Sequence, residues 1–149
     1  EIITQVERYR TLMEAILVNE DLELLKTELD YFIAAIQPFR NLYGDYDYYT
    51  SLTDFVEGYY LSGQNEKAEA LIESIVSQYE ERFGMIANFE KSNKTVFFDR
   101  IKSEVLDFQE LIYRVELMGA NDFAKTLQKR FDETMNQFEI EDTLENQSK

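Results

Sequence analysis

An all-α fold is the class this sequence predicts, and three observations carry the prediction. Gly (5) and Pro (1) are scarce among 149 residues. That is too few for the many turns of an all-β chain and suits long helices with few breaks. Apolar residues recur at spacings of three and four through most of the chain, as they do on the buried face of a helix. Finally, the pattern Gly-x-Asn-acid-x-Ala occurs twice, as Gly63-Gln64-Asn65-Glu66-Lys67-Ala68 and as Gly119-Ala120-Asn121-Asp122-Phe123-Ala124. Each copy lies between two apolar helical patterns, so it reads as the turn of a helical hairpin, and its recurrence points to stacked hairpins.

The first helix is expected over about 2–18, with Ile2, Val6, Tyr9, Met13 and Ile16 on one face. Asn19-Glu20-Asp21 breaks it, and Asn19 or Asp21 would cap the next helix. That second helix carries Leu22, Leu25, Leu29, Phe32, Ile33 and Ile36, and Pro38 ends it. The stretch 41–47, with Gly44 between Tyr43 and Asp45, reads as a loop. Thr50 or Ser51 would cap a third helix running to about Leu61 on Leu52, Phe55, Val56, Tyr59 and Tyr60.

Gly63 then takes the left-handed conformation that ends a helix, with Asn65 expected as the next cap and the small Ala68 allowing close approach. The fourth helix uses Leu71, Ile72, Ile75, Val76, Tyr79, Phe83 and Ile86, and Gly84 could interrupt it on the way to Phe89. A break is expected at Ser92–Thr95. The fifth helix follows on Phe98, Ile101, Val105, Phe108, Ile112 and Val115. The sixth follows Gly119 on Phe123, Leu127, Phe131 and Phe138. About six helices in three antiparallel hairpins result, as a right-handed stack or a compact irregular bundle. The hairpins form one domain over 1–138, and 139–149 is read as an acidic, flexible tail.

Composition removes several functions. With 30 Asp and Glu against 15 Lys and Arg, the net charge is −15. Such a surface repels phosphate backbones and anionic lipid, which argues against nucleic acid and peripheral membrane partners and favours basic ones. The absence of Cys excludes disulfides and thiol chemistry. The absence of His removes the commonest general base and the usual zinc ligand. No apolar run reaches the roughly 18–20 residues of a membrane-spanning helix. The chain opens on Glu1 rather than Met, so a fragment of a longer protein is expected.

The middle hairpin resembles the tetratricopeptide repeat. Phe55-Val56, Tyr59, Gly63 and Ala68 occupy four slots of that family, which has a large apolar pair, then Tyr, Gly and Ala. Leu111-Ile112, Val115, Gly119 and Ala124 match with Val for Tyr, whereas Leu12-Met13, Ile16, Glu20 and Leu25 match only in apolar character. No Trp heads any unit. The turns lie 43 and 56 residues apart, more than the 34 of a regular unit.

The words around these turns, Val56–Ala68 with Tyr79-Glu80-Glu81 and then Gly119–Lys125 after a long helix, resemble the soluble C-terminal region of a bacterial multi-span membrane family. That family is similar to the protein O-mannosyltransferases, of the glycosyltransferase C type. The resemblance implies an extramembrane accessory domain on the periplasmic side of the inner membrane, attached through an N-terminal region this chain lacks. It also implies no catalytic residue here, since those lie in the membrane part. A free-standing cytoplasmic scaffold that binds peptides is the alternative.

Among candidate sites, Asp45 and Asp47 in the Tyr43–Tyr49 string would bind a cation only with further oxygen ligands, and none follow in the series. The tyrosines there could instead stack on a ligand. Carboxylate pairs such as Glu80-Glu81 or Glu139 with Glu141 are expected by chance in so acidic a chain and read as solvated faces. Asp142-Thr143-Leu144 resembles a bacterial O-glycosylation acceptor. No metal or cofactor is predicted. The resemblance to tetratricopeptide stacks places a peptide groove on the first helix of each hairpin. It would be lined by Arg10, Glu14 and Leu17, by Thr53, Glu57 and Tyr60, and by Gln109, Tyr113 and Glu116, with a protein or peptide as the partner.

Overall fold

The computed structural model describes residues 2–89 and 94–138. Among these residues the fold is all-α, with seven helices: α1 (Ile2–Val18), α2 (Leu22–Ile36), α3 (Phe39–Ser51), α4 (Thr53–Leu61), α5 (Asn65–Phe89), α6 (Lys94–Leu117) and α7 (Asn121–Phe138). The tail at 139–149, with Asp142-Thr143-Leu144, and Ser92 and Asn93 of the expected break lie outside the described residues. The chain divides into two compact units, Glu1–Gln78 and Tyr79–Lys149, with the boundary inside α5.

Three turns are built alike. Glu20, Gly63 and Gly119 have φ of 55°, 76° and 85°. Each donates its N–H to the carbonyl three residues back: Leu17 at 3.0 Å, Tyr60 at 3.0 Å and Glu116 at 2.9 Å. The following residues, Asp21, Gln64 and Ala120, donate to Ile16 (3.4 Å), Tyr59 (2.8 Å) and Val115 (3.3 Å). This pair of bonds around a left-handed residue is the Schellman termination, which satisfies the last carbonyls of the helix. Asp21, Gln64 and Ala120 then accept from Leu25, Ala68 and Ala124, so they occupy the cap positions of the next helices. Asp21 fulfils that role with its side chain, accepting from the Leu24 N–H at 3.1 Å. Asn65, expected as a cap, and Asn121, its counterpart in the second copy of the pattern, instead fall one position inside α5 and α7. The two-residue turn leaves the cap to the residue directly after the glycine.

The expected loop at 41–47 is helical except at Gly44. It falls within α3, whose two helical segments join where Gly44 takes the non-helical φ of 87° and ψ of 168°. Arg40 spans the bend, with Nε donating to Asp45 Oδ1 at 2.6 Å and its guanidinium 5.1 Å from the centre of the Tyr49 ring. Tyr48 is buried against the core, with Phe39 and Tyr49 half-buried beside it. Thr50 and Ser51 cap nothing. Their hydroxyls donate backwards to the Tyr46 and Tyr48 carbonyls, and α4 starts after Leu52 without a side-chain cap. Gly84 does not interrupt α5. Leu22, expected in the core, is 46% exposed in the first turn of α2.

The core of the first unit is Val6, Met13, Leu25, Leu29, Phe32, Ile36, Tyr48, Leu52, Phe55, Tyr59 and Ala68. α1 and α4 lie side by side and run the same way, since Arg10 meets Asp54 and Met13 meets Gly58. Gly58 is the point of closest approach: a Cβ there would stand 2.6 Å from Met13 Sδ and 3.1 Å from a Leu29 methyl. Asp30 ties three helices, accepting from the Tyr59 hydroxyl at 3.1 Å and from Lys67 Nζ at 2.6 Å.

In the second unit, Tyr79 stacks on Phe108 (centroids 5.6 Å apart, planes at 22°), and Phe108 meets Phe131 edge-on at 5.2 Å. These rings join α5, α6 and α7, each pair adding about 0.5–1.5 kcal/mol beyond its buried area. Two ion pairs flank them. The Arg130 fork grips both Glu80 oxygens, and Arg82 Nε lies 3.3 Å from Oε1 of the buried Glu104.

Candidate functional site: the exposed helix faces

The predicted groove residues fall into the two units. In the first, Arg10 and Glu14 on α1 adjoin the start of α4. Arg10 Nη1 donates to Asp54 Oδ2 at 3.2 Å, and its Nε is 3.9 Å from Glu14. Thr53 turns its hydroxyl onto the Thr50 carbonyl at 2.9 Å, and Glu57 is exposed. Leu17 packs half-buried on the core. Tyr60 is half-buried, and among the described residues its hydroxyl oxygen is enclosed without a hydrogen-bond partner. Burial, and then the charge of Glu69, push that phenol up to about 12. Of these residues, Arg10 is engaged in joining α1 to α4.

In the second unit, Gln109, Tyr113 and Glu116 are exposed on α6. The buried side of this helix is Val105, Phe108, Leu111, Ile112 and Val115. Leu106, Tyr113 and Leu117 follow one another at intervals of seven and four, which sets them on a single stripe of the opposite side. They are 55%, 60% and 61% exposed. Single exposed apolar residues are ordinary, and here three are aligned on one helix face. Tyr113 is one of the residues that the tetratricopeptide resemblance places on a groove. Leu106 and Leu117 were not singled out, although their register with Tyr113 is visible in the sequence.

Beside the stripe lies a cleft of about 390 Å³ between the end of α6 and the start of α7, lined by Ile112, Glu116, Asn121, Ala124, Lys125 and Gln128. Its floor is apolar, because Ile112 and Ala124 belong to the core, and its rim is polar. The Gly119 turn brings the two sides of the cleft together. Glu116 thus borders both the cleft and the stripe.

Carboxylates frame this surface. Asp107 and Glu110 flank the stripe on one side and Glu116 on the other, by helical register. Arg114 pairs with Glu110 at 3.1 Å. Partial burial, and then the neighbouring Glu110, hold the Asp107 carboxyl above the usual carboxylate range.

At the Tyr43–Tyr49 string, Arg40 occupies Asp45 and holds its carboxyl below the usual range, chiefly by hydrogen bonding. Among the described residues no three His, Cys, Asp or Glu side chains gather in a way that could hold a metal ion. Nor is any helix among them long and apolar enough to cross a membrane. Comparison of the chain with protein-family models, with curated proteins and with solved structures finds no match.

Proposed function

We propose that this chain is a non-catalytic interaction domain whose helical hairpins hold a protein or peptide partner. The observation that carries the reading is the α6 surface. Three aligned apolar side chains stand in solvent beside an apolar-floored cleft, where a helix serving only the core would present polar residues. The side-by-side, same-sense run of α1 and α4, each followed by the same turn, supports a stacked-hairpin scaffold of the tetratricopeptide kind.

The narrower part of the proposal rests on the sequence words around Gly63 and Gly119. Their resemblance to the soluble end of the membrane glycosyltransferase-like family supports a domain tethered on the periplasmic side of the inner membrane. There it would position acceptor protein or other partners near a membrane active site. A topology reporter fused to the C-terminus of the full-length gene product tests this part. Periplasmic reporter activity is expected, together with several apolar spans in the coding sequence upstream. Cytoplasmic activity would return the chain to the class of free-standing peptide-binding scaffolds.

A further inference from the structure

The partner's chemistry is legible at the α6–α7 surface. An occupant must cover Leu106, Tyr113 and Leu117, a linear stripe along about three turns of α6, and a linear apolar stripe is matched by the apolar face of another helix. It must also meet Asp107, Glu110 and Glu116, of which Glu110 is paired with Arg114, and Lys125 at the cleft. A second copy of this chain would bring another net charge of −15, and the segment 139–149 carries four carboxylates against one lysine. Both bring charge of the wrong sign. Burial, and then Glu110, disfavour the charged form of Asp107, and a cation placed opposite it would act against both. The cleft between Ile112 and Ala124 offers an apolar floor for one side chain at the end of the stripe.

We propose that the face of α6 carrying Leu106, Tyr113 and Leu117, with the adjoining α6–α7 cleft, docks one amphipathic helix of another protein whose apolar stripe is flanked by Lys or Arg. This rests on the interaction-domain reading and assigns its site and its partner class. The apolar stripe supplies affinity, and the carboxylate frame supplies orientation and choice of partner.

The test is fluorescence anisotropy of the full chain with a labelled helical peptide that has leucines at three- and four-residue spacing and lysines on both flanks. Two controls are a scrambled peptide of the same composition and a peptide with glutamates in place of the lysines. The lysine-flanked peptide is expected to bind at least about tenfold more tightly than either control, with affinity falling as salt rises. The double variant Leu106→Gln/Leu117→Gln changes only exposed positions and adds no charge. It should weaken binding about tenfold with an unchanged helical circular dichroism spectrum, while Leu12→Gln/Val18→Gln in the first unit leaves binding intact.

Equal binding of the scrambled peptide would reduce the effect to charge adsorption and overturn the assignment. Absence of binding, or full binding by the α6 variant, would overturn it as well. Binding lost in the Leu12/Val18 variant but kept in the α6 variant would move the site to the first unit, overturning this surface while leaving an interaction domain standing.

Discussion

At the residue scale, Glu20 is the most informative position. It is the one residue other than Gly with positive φ among the described residues, and it occupies the place that Gly63 and Gly119 hold in the other two turns. A side chain in the left-handed region costs about 1–2 kcal/mol, part of which glycine forfeits through its freer unfolded chain. Glu20→Gly should therefore stabilise the protein by about 0.5–1 kcal/mol in urea unfolding. Gly63→Ala and Gly119→Ala, where φ and not space is limiting, should each cost about 1 kcal/mol. A destabilised Glu20→Gly would mean that its side chain makes a contact outweighing the strain.

Asp30 supplies a pH prediction at the same scale. Its hydrogen bond from Lys67 lowers its pKa, an effect opposed by partial burial and aided by Tyr59. A carboxylate depressed on folding stabilises the native state above its unfolded pKa, and that contribution fades as pH falls through the folded value. The stability gap between the wild type and Asp30→Asn should be open at neutral pH and close in acid. A gap that widens on acidification would contradict the assigned sign.

At the element scale, α1, α4 and α2 meet at Gly58, and the approach is tight because that residue has no Cβ. Gly58→Val should cost about 1–3 kcal/mol by overpacking against Met13 and Leu29. Gly58→Ala should stay within about 1 kcal/mol, because its gain in helix propensity offsets a small shift of the flexible Met13 sulfur. Equal stability of the wild type and both variants, read as denaturation midpoints, would show that the contact is looser than described.

The sequence made some elements plain and hid one. The three hairpin turns were visible because their chemistry is local: a glycine or a short polar break between two apolar helical patterns. The buried faces of α1, α2 and α4–α7 were visible because helical periodicity is local too. α3 was hidden because Gly44, two aspartates and several tyrosines read as a loop. Its helix is held by contacts that sequence spacing does not display, namely Tyr48 in the core and Arg40 bridging to Asp45 and Tyr49. That extra helix also lengthens the interval between the first two turns. The caps were misplaced by one residue because Asn is a common cap, whereas here the tight Schellman turn makes the cap Gln64 or Ala120. Of the residues that the resemblance places on a groove, Tyr113 and Glu116 are exposed on α6. The aligned Leu106 and Leu117 stood out only once their exposure was known.

At the scale of the whole molecule, the strongest constraint is the excess of acidic over basic residues. Under the proposal it favours a basic partner over an acidic one and over a second copy of the chain. The chain carries an apolar surface where solubility would favour a polar one, on the helix whose other side forms the aromatic core of the second unit. Amide hydrogen exchange of the intact chain, with and without the lysine-flanked amphipathic peptide, tests this account most directly. It predicts slowed exchange in the second half of α6 and over 121–128, with the first unit unchanged. Protection confined to residues 1–78, or no protection anywhere at saturating peptide, would contradict it.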